Sequence, residues 1–424
     1  MKTIAKSIII LGALLAIFTS CSSSDSPAPT PVATPPTITS FSPQTGGYSS
    51  TLTITGTNFS ATPANNKVTI NGVEATVTAA TATQLTVTVP ACGGTGNVKV
   101  TVGNTTTTSS SSFAYTPDVY VAGYETNGTQ YVAKLWKNGV ATALTNGSNY
   151  ANAFSVTVSG TDVYVAGRES NGTNNVAKLW KNGVATALTD GSNTASISSV
   201  TVSGTDVYVA GREFNGTKGV AKLWKNGVVT ALTNGSNDAY AGSVTVSGTD
   251  VYVAGYENNG TKDVAKLWKN GIATALTDGR NNASASFVTV SGTDVYVSGV
   301  EYNGTKYVAK LWKNGVATAL TDGSNAASTS SVTVSGSDVY VSGYEYNGTI
   351  AVAKLWKNGV ATALTDGSNY AYASSVIVSG TDVYVAGYER NGIGNYIAKL
   401  WKNGVATALT DGSNSTYVYS VFVR

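Results

Sequence analysis

The seven tryptophans of this 424-residue chain, Trp136, Trp180, Trp224, Trp268, Trp312, Trp356 and Trp401, fall 44 residues apart, with 45 before the last. Each sits in the same phrase. In its clearest copy, DVYVAGYE (250–257) leads through the turn NNGT to VAKLWKNG, IATAL, the stretch TDGRNNASA and then SFVTVSGT, which ends at residue 293. A strict period in the forties that holds four short β-runs describes one blade of a β-propeller.

The runs are strands by their own chemistry. Val119, Tyr120 and Val121 are β-branched or aromatic, and Gly, Asn, Asp and Ser bound each segment. Asn138-Gly139 between two such runs is a strong hairpin signal, because a type I′ turn needs positive φ at both central residues. Ser159-Gly160-Thr161-Asp162 marks a second tight turn, and no repeat carries a helical apolar stripe. We letter the strands of a unit A (156–158), B (118–123), C (bearing Trp136) and D (140–144). The repeats open at Asp118 with B, C and D, and they close at residues 420–424 on an A strand with no unit of its own. A ring in which that last strand completes the first blade leaves no exposed edge. The expected fold is therefore all-β, with a closed seven-bladed propeller over residues 117–424.

Composition excludes several partners. The net charge is +3, from 26 Lys and Arg against 23 Asp and Glu, which gives no electrostatic case for nucleic acid. There is no histidine, so Ser-His-Asp and Cys-His nucleophiles and His-ligated metals are absent. No phosphate loop or dinucleotide fingerprint occurs, and the Thr277-Asp278-Gly279 copies lack the alternating acids of a calcium loop. No cofactor and no metal are expected.

Lys2 and Lys6 followed by an apolar run over 8–18 read as an export signal over residues 1–20, too short to span a bilayer. Its end, Phe18-Thr19-Ser20-Cys21, resembles a bacterial lipoprotein signal, although Phe18 stands where Leu is usual. The resemblance implies a lipid on Cys21 and attachment to the outer membrane, exposed at the cell surface. The Ser/Asp run after Cys21 is similar to the tether of surface lipoproteins of the Bacteroidota, and five prolines between 27 and 36 stiffen the spacer that completes residues 21–36.

Residues 37–116 follow another pattern. ITSFSP (38–43), LTITGTNF (52–59), VTINGV (68–73), LTVTVP (85–90) and GNVKV (96–100) alternate as strands between turns, the pattern of a β-sandwich. These phrases, in this order, resemble the IPT/TIG family of immunoglobulin-like domains. The resemblance implies a spacer or interaction module rather than a catalyst. With Cys21 lipidated, Cys92 has no disulfide partner, and it is expected to be a small buried residue.

Compared with one another, the seven repeats keep their A–B and C–D turns and vary in two places. One is the stretch before strand A, with Tyr150, Phe154, Tyr240, Tyr370, Tyr372, Tyr417 and Tyr419. The other flanks the glutamate that ends strand B, with Tyr124, Arg168, Arg212, Tyr256, Tyr344 and Tyr388 before it and Phe214, Tyr302, Tyr346 and Arg390 after it. In a propeller both places emerge on one face. Tyr, Arg, Asn and Ser are the mixture favoured in binding loops, so this face is the candidate site for a glycan or protein ligand. Exposed loops also vary by drift, and these tyrosines could equally form part of the core near the axis.

Repeated residues take plainer roles. Glu125 and its six copies with Lys134 and its six copies are expected to form cross-strand ion pairs worth roughly 0.2–1 kcal/mol each, and the tryptophans are expected in the core. A ring of identical carboxylates does not single out the asymmetric pair that glycoside cleavage needs. Three functions follow in order: a non-catalytic surface binding protein, a scaffold or adhesin, and a polysaccharide-acting enzyme. The enzyme reading would rest on the unique acids Asp238 and Asp263, or on the symmetry break at 392–396.

Overall fold

The computed structural model describes residues 34–91 and 94–424, so the expectations for the leader, for Cys21 and for Cys92 lie outside the described residues. The first unit is an eight-stranded β-sandwich. Its strands are β1 (Thr37–Ser42), β2 (Thr45–Gly46), β3 (Thr51–Thr57), β4 (Asn66–Ile70), β5 (Val73–Ala80), β6 (Gln84–Thr88), β7 (Gly96–Val102) and β8 (Thr105–Tyr115). They run in the order β1-β3-β6-β5-β4-β7-β8-β2. Alternation puts Leu52, Ile54, Val68, Ile70, Leu85, Val87, Val98, Val100 and Phe113 into one core, all fully buried. Strand β8 is the element least visible in sequence. Its TTTTSSSS opening has no apolar alternation, and it is held by antiparallel pairing to β7 and by the burial of Ser109, Phe113 and Tyr115.

Seven four-stranded antiparallel sheets follow, numbered here as blades 1–7 in chain order. Blade 1 takes strand B (Val119–Thr126), strand C (Tyr131–Lys137) and strand D (Val140–Ala143) from the start of the repeats, and its A strand (Thr416–Val423) from the end of the chain. Val121 lies opposite Val421, and Asp118 exchanges both backbone hydrogen bonds with Arg424, at 3.0 and 3.1 Å. The ring is closed as its two ends implied. Asn138 (φ 51°) and Gly139 (φ 82°) adopt the two positive φ values of the type I′ turn.

Strand A is longer than the apolar VTV run suggests. In blade 2 it spans Ala151–Ser159, and in blade 4 Ala239–Ser247. The variable stretch before VTV is thus mostly strand rather than loop, a correction to the sequence expectation. Small alternating Ala and Ser carry little apolar signal, yet they are what fits where strands crowd toward the axis. The strand bends at a bulge between Ala241 and Ser243, and the bulge determines its partner: a Cβ on Gly255 would lie 1.9 Å from the Tyr240 carbonyl oxygen. The bulge serine serves the next blade. Ser155 Oγ accepts from Val200 N at 3.1 Å, and Ser420 Oγ accepts from Val156 N at 3.1 Å across the closure.

Blades adhere through the tryptophans. Trp268 of blade 4 is fully buried in one cluster with Tyr208, Ala210 and Ala221 of blade 3 and Ala239, Ala241, Val244 and Val253 of its own blade. Trp136 does the same across the closure, with Tyr384, Ala386 and Ala398 of blade 7. Alanines face each indole because its volume leaves room for nothing larger.

Candidate functional site

The two faces of the propeller differ in kind. At the face carrying the A–B and C–D turns, every blade repeats one network. In blade 4, Asp250 Oδ2 is 2.7 Å from Lys269 Nζ, and Asn270 Nδ2 donates to Asp250 Oδ1 at 2.7 Å. Asn270 Oδ1 accepts from Val251 N at 2.8 Å, and the lysine ammonium lies 5.3 Å from the Tyr252 ring. These turns are therefore constrained by a side-chain network as well as by φ, a feature the sequence comparison did not single out.

Lys269 and then Asn270 hold the Asp250 carboxyl below its ordinary value of 3.8, and the same causes act on Asp162, Asp206, Asp294 and Asp338. Because the folded pKa is the lower one, the unfolded chain takes up these protons first. The stabilisation is present above about pH 4 and is lost as pH falls through the folded values. Melting temperature measured from pH 7 to pH 2 is expected to fall steadily below about pH 4. A flat profile down to pH 2 would show that the carboxylates contribute nothing.

The expected glutamate–lysine pairs are present in all seven blades. Glu257 lies opposite Val264, so Lys266, two residues on, meets it diagonally at 3.7 Å, and Lys399 meets Glu389 at 3.0 Å. Lys134 with Glu125 and Lys222 with Glu213 are in closer contact. All seven glutamates are engaged by a lysine.

On the opposite face the sevenfold symmetry breaks. The A strands surround an axial cavity of about 700 Å³, walled by Ser, Thr and Val and entered past Phe154, Tyr240, Tyr344, Tyr372, Tyr388 and Tyr419. The aromatics are not spread evenly. Tyr346 contacts Tyr344, which contacts Tyr372 at a centroid distance of 4.9 Å, and Tyr372 contacts Tyr388 at 5.2 Å. Tyr388 meets Tyr417 at 5.1 Å, Tyr417 stacks on Tyr124 at 5.0 Å, and Tyr124 continues to Tyr131 and Tyr150. Tyr419 joins Tyr124 to Phe154. This is a continuous arc over blades 6, 7, 1 and 2. Outside the arc, blades 3, 4 and 5 offer Ser198, Gly242 and Ser286 at the equivalent position of the cavity wall.

Register explains the convergence. Tyr417 pairs with Tyr124 and Tyr372 with Tyr388, so the variable residues of strands A and B are cross-strand neighbours at one end of the blade. Of the two tyrosines that begin strand C and belong to the arc, Tyr131 was not singled out in sequence, and Tyr396 only as the end of the symmetry break at 392–396. The signal existed: that column reads Tyr131, Asn175, Gly219, Asp263, Tyr307, Ala351, Tyr396, as variable as the columns beside it.

Arg168 lies 5.4 Å from the Phe154 ring at the end of the arc, and Arg212 lies 5.1 Å from Phe214 and 5.2 Å from Tyr240, which neighbours Tyr256. Three predicted residues fall outside this grouping. Tyr302 pairs only with Tyr307 on blade 5, while Tyr370 and Arg390 line a separate depression of about 400 Å³ with Ile350, Asn391 and Ile393. That depression is where the extra residue of blade 7 lies, and Arg390 Nε donates to the Gly394 carbonyl there at 3.1 Å.

The chemistry of the arc is that of neutral phenols. Burial first, and then the neighbouring tyrosines, push Tyr417 up to about 12, and burial likewise raises Tyr372, Tyr388 and Tyr419. They stay protonated at neutral pH and offer ring faces and hydroxyls. The unique acids are occupied: Asp238 accepts from Gly219 N at 2.9 Å and pairs with Lys218 at 3.4 Å, and Asp263 accepts from Asn258 Nδ2 at 2.9 Å. Among the described residues no group of three Cys, Asp or Glu is placed to hold a metal ion.

Residues 36–116 match the family model described as IPT/TIG domain. The sandwich is an IPT/TIG domain. Similar solved structures include a protein of unknown function from Bacteroides thetaiotaomicron, 13% identical over 92% of this chain and 98% of that one, with a TM-score of 0.49. An auxiliary nutrient binding protein from the same organism is 13% identical over 83% of this chain and 95% of that one (TM-score 0.34). Another, from Bacteroides ovatus, is 13% identical over 81% and 93% (TM-score 0.34). No curated protein matches the chain in sequence.

Proposed function

We propose that the protein is a non-catalytic binding module, carried on a lipid at Cys21 at the cell surface, whose IPT/TIG domain stands between the anchor and a propeller that captures a glycan. The observation that carries this reading is the tyrosine arc at the mouth of the axial cavity. Half-buried aromatic rings with neutral hydroxyls present flat area at low ordering cost, and sugar rings pair an apolar C–H face with hydroxyls that need partners. A concave mouth favours a glycan over the flat contact that a scaffold partner would use. The paired state of Glu257 and its copies, and of Asp238 and Asp263, supports binding rather than hydrolysis, because these carboxylates are already engaged rather than free for acid–base work.

A glycan array probed with the full-length protein tests this. Binding is expected, and Tyr150→Ser with Tyr417→Ser is expected to weaken it by about tenfold or more, at roughly 0.5–1.5 kcal/mol per lost aromatic contact beyond its buried area. The control Tyr302→Ser with Tyr307→Ser removes two tyrosines outside the arc and is expected to leave binding unchanged. Equal losses from both pairs would sink the assignment to the arc.

A further inference from the structure

We infer that the ligand is an acidic saccharide, whose carboxylate or sulfate is taken by Arg168 and Arg212 beside the tyrosine arc. This rests on the glycan reading above and adds its chemical class. The two arginines occupy the same position of strand B in adjacent blades, opposite Asn152 and Ser196. They stand where Tyr124, Tyr256, Tyr344 and Tyr388 stand in four of the other blades, so the ring of rim residues passes from aromatic to cationic as it leaves the arc. Each guanidinium lies against a residue of the cavity mouth, Arg168 against Phe154 and Arg212 against Tyr240.

Neither charge is neutralised by contact. Among the described residues every lysine of strand C that follows these arginines has a carboxylate partner, yet neither Arg168 nor Arg212 forms an ion pair. Arg168 Nε donates to Asn152 Oδ1 at 3.1 Å, which leaves its terminal nitrogens for another acceptor. Arg212 is less satisfied still, because its Nε is buried with no acceptor. Asp238, an acid that feels its charge, already receives Gly219 N and Lys218. Burying a guanidinium N–H without an acceptor is costly, and the planar fork of an arginine matches a carboxylate or a sulfate. Rings packed against the guanidinium hold it in place without using its hydrogen bonds. An anion seated there would supply the missing acceptor while the sugar lies on the neighbouring tyrosines.

Affinity electrophoresis of the full-length protein in polygalacturonate, dextran sulfate, neutral galactan and dextran tests this. At least one polyanion is expected to bind about tenfold or more tightly than either neutral polymer, as charge-assisted bonds to two arginines imply. Polygalacturonate identifies the anion as carboxylate and dextran sulfate as sulfate. Arg168→Gln with Arg212→Gln is expected to abolish that preference in a protein that still folds, as judged by circular dichroism. Arg168→Lys with Arg212→Lys is expected to restore part of it. Lys262→Gln with Lys306→Gln, on B–C turns of the same face, is expected to change nothing, which separates the pair from general positive charge. The inference is overturned if polyanions bind no better than neutral polymers, or if the glutamine variant keeps the preference. Retention by no polymer at all, with the protein folded, would overturn the glycan reading itself.

Discussion

Deletion of residues 416–424 is expected to abolish cooperative unfolding of the propeller. The strand it removes supplies the whole A position of blade 1, paired from Thr416 opposite Glu125 to Val423 opposite Val119. Val418, Val421 and Val423 are buried in the cluster that also holds Trp136 and the blade 7 residues Tyr384, Ala386 and Ala398. At roughly 1.5–3 kcal/mol for each buried valine, the apolar loss alone is about 5–9 kcal/mol, comparable with the whole net stability of a typical domain. The deletion also bares the edge of the Val119–Thr126 strand, an invitation to pair with another chain. The truncated protein is expected to aggregate on size-exclusion chromatography and to lose its sharp circular-dichroism melt. A monomeric product melting within a few degrees of the intact chain would show that closure is not what holds the ring.

Trp268→Ala is expected to cost roughly 3–5 kcal/mol, the range for removing a large aromatic from a packed core. The indole is fully buried between blades 3 and 4, and the alanines around it, Ala210, Ala221, Ala239 and Ala241, have no side chain that can move in to fill the space. Because the residue joins two blades, the damage falls on an interface that the ring cannot bypass. Melting temperature is expected to drop by roughly 10 °C, by scaling from domains of comparable size, with a smaller drop for Trp268→Phe. An unchanged melting curve would falsify the role given to the tryptophans.

Much of the fold was legible because its signals are local and repeated. Asn138-Gly139 announces a turn whose φ values follow from the residue types, and the tryptophan period announces the blades. Strand ends were less legible. Ala151 to Phe154 and their copies looked like loop because alanine and serine carry no alternating signal, whereas packing near the axis extends strand A through them. The Thr/Ser-rich opening of β8 escaped for the same reason.

The site was legible in part. Variation among the copies found Tyr124, Tyr344, Tyr372, Tyr388, Tyr417 and Tyr419, which the structure brings into one arc, but it also gathered Tyr302, Tyr370 and Arg390, which lie elsewhere on the face. Comparing repeats shows which positions differ, and it carries no information on which blades adjoin across the closure.

What the sequence determined by itself is the unit: strand chemistry, turn φ values and the tryptophan beat are properties of neighbours along the chain, and the unpaired A strand at the end of the repeats showed that the first blade is split. What only the tertiary structure decided is asymmetry. Tyr124 and Tyr417 stand nearly three hundred residues apart in sequence and 5.0 Å apart in space. The closing strand joins them, and with them blades 6, 7, 1 and 2 become one surface. Seven similar units can be read from their repetition, whereas a site made from their differences exists only once the ring fixes which differences are adjacent.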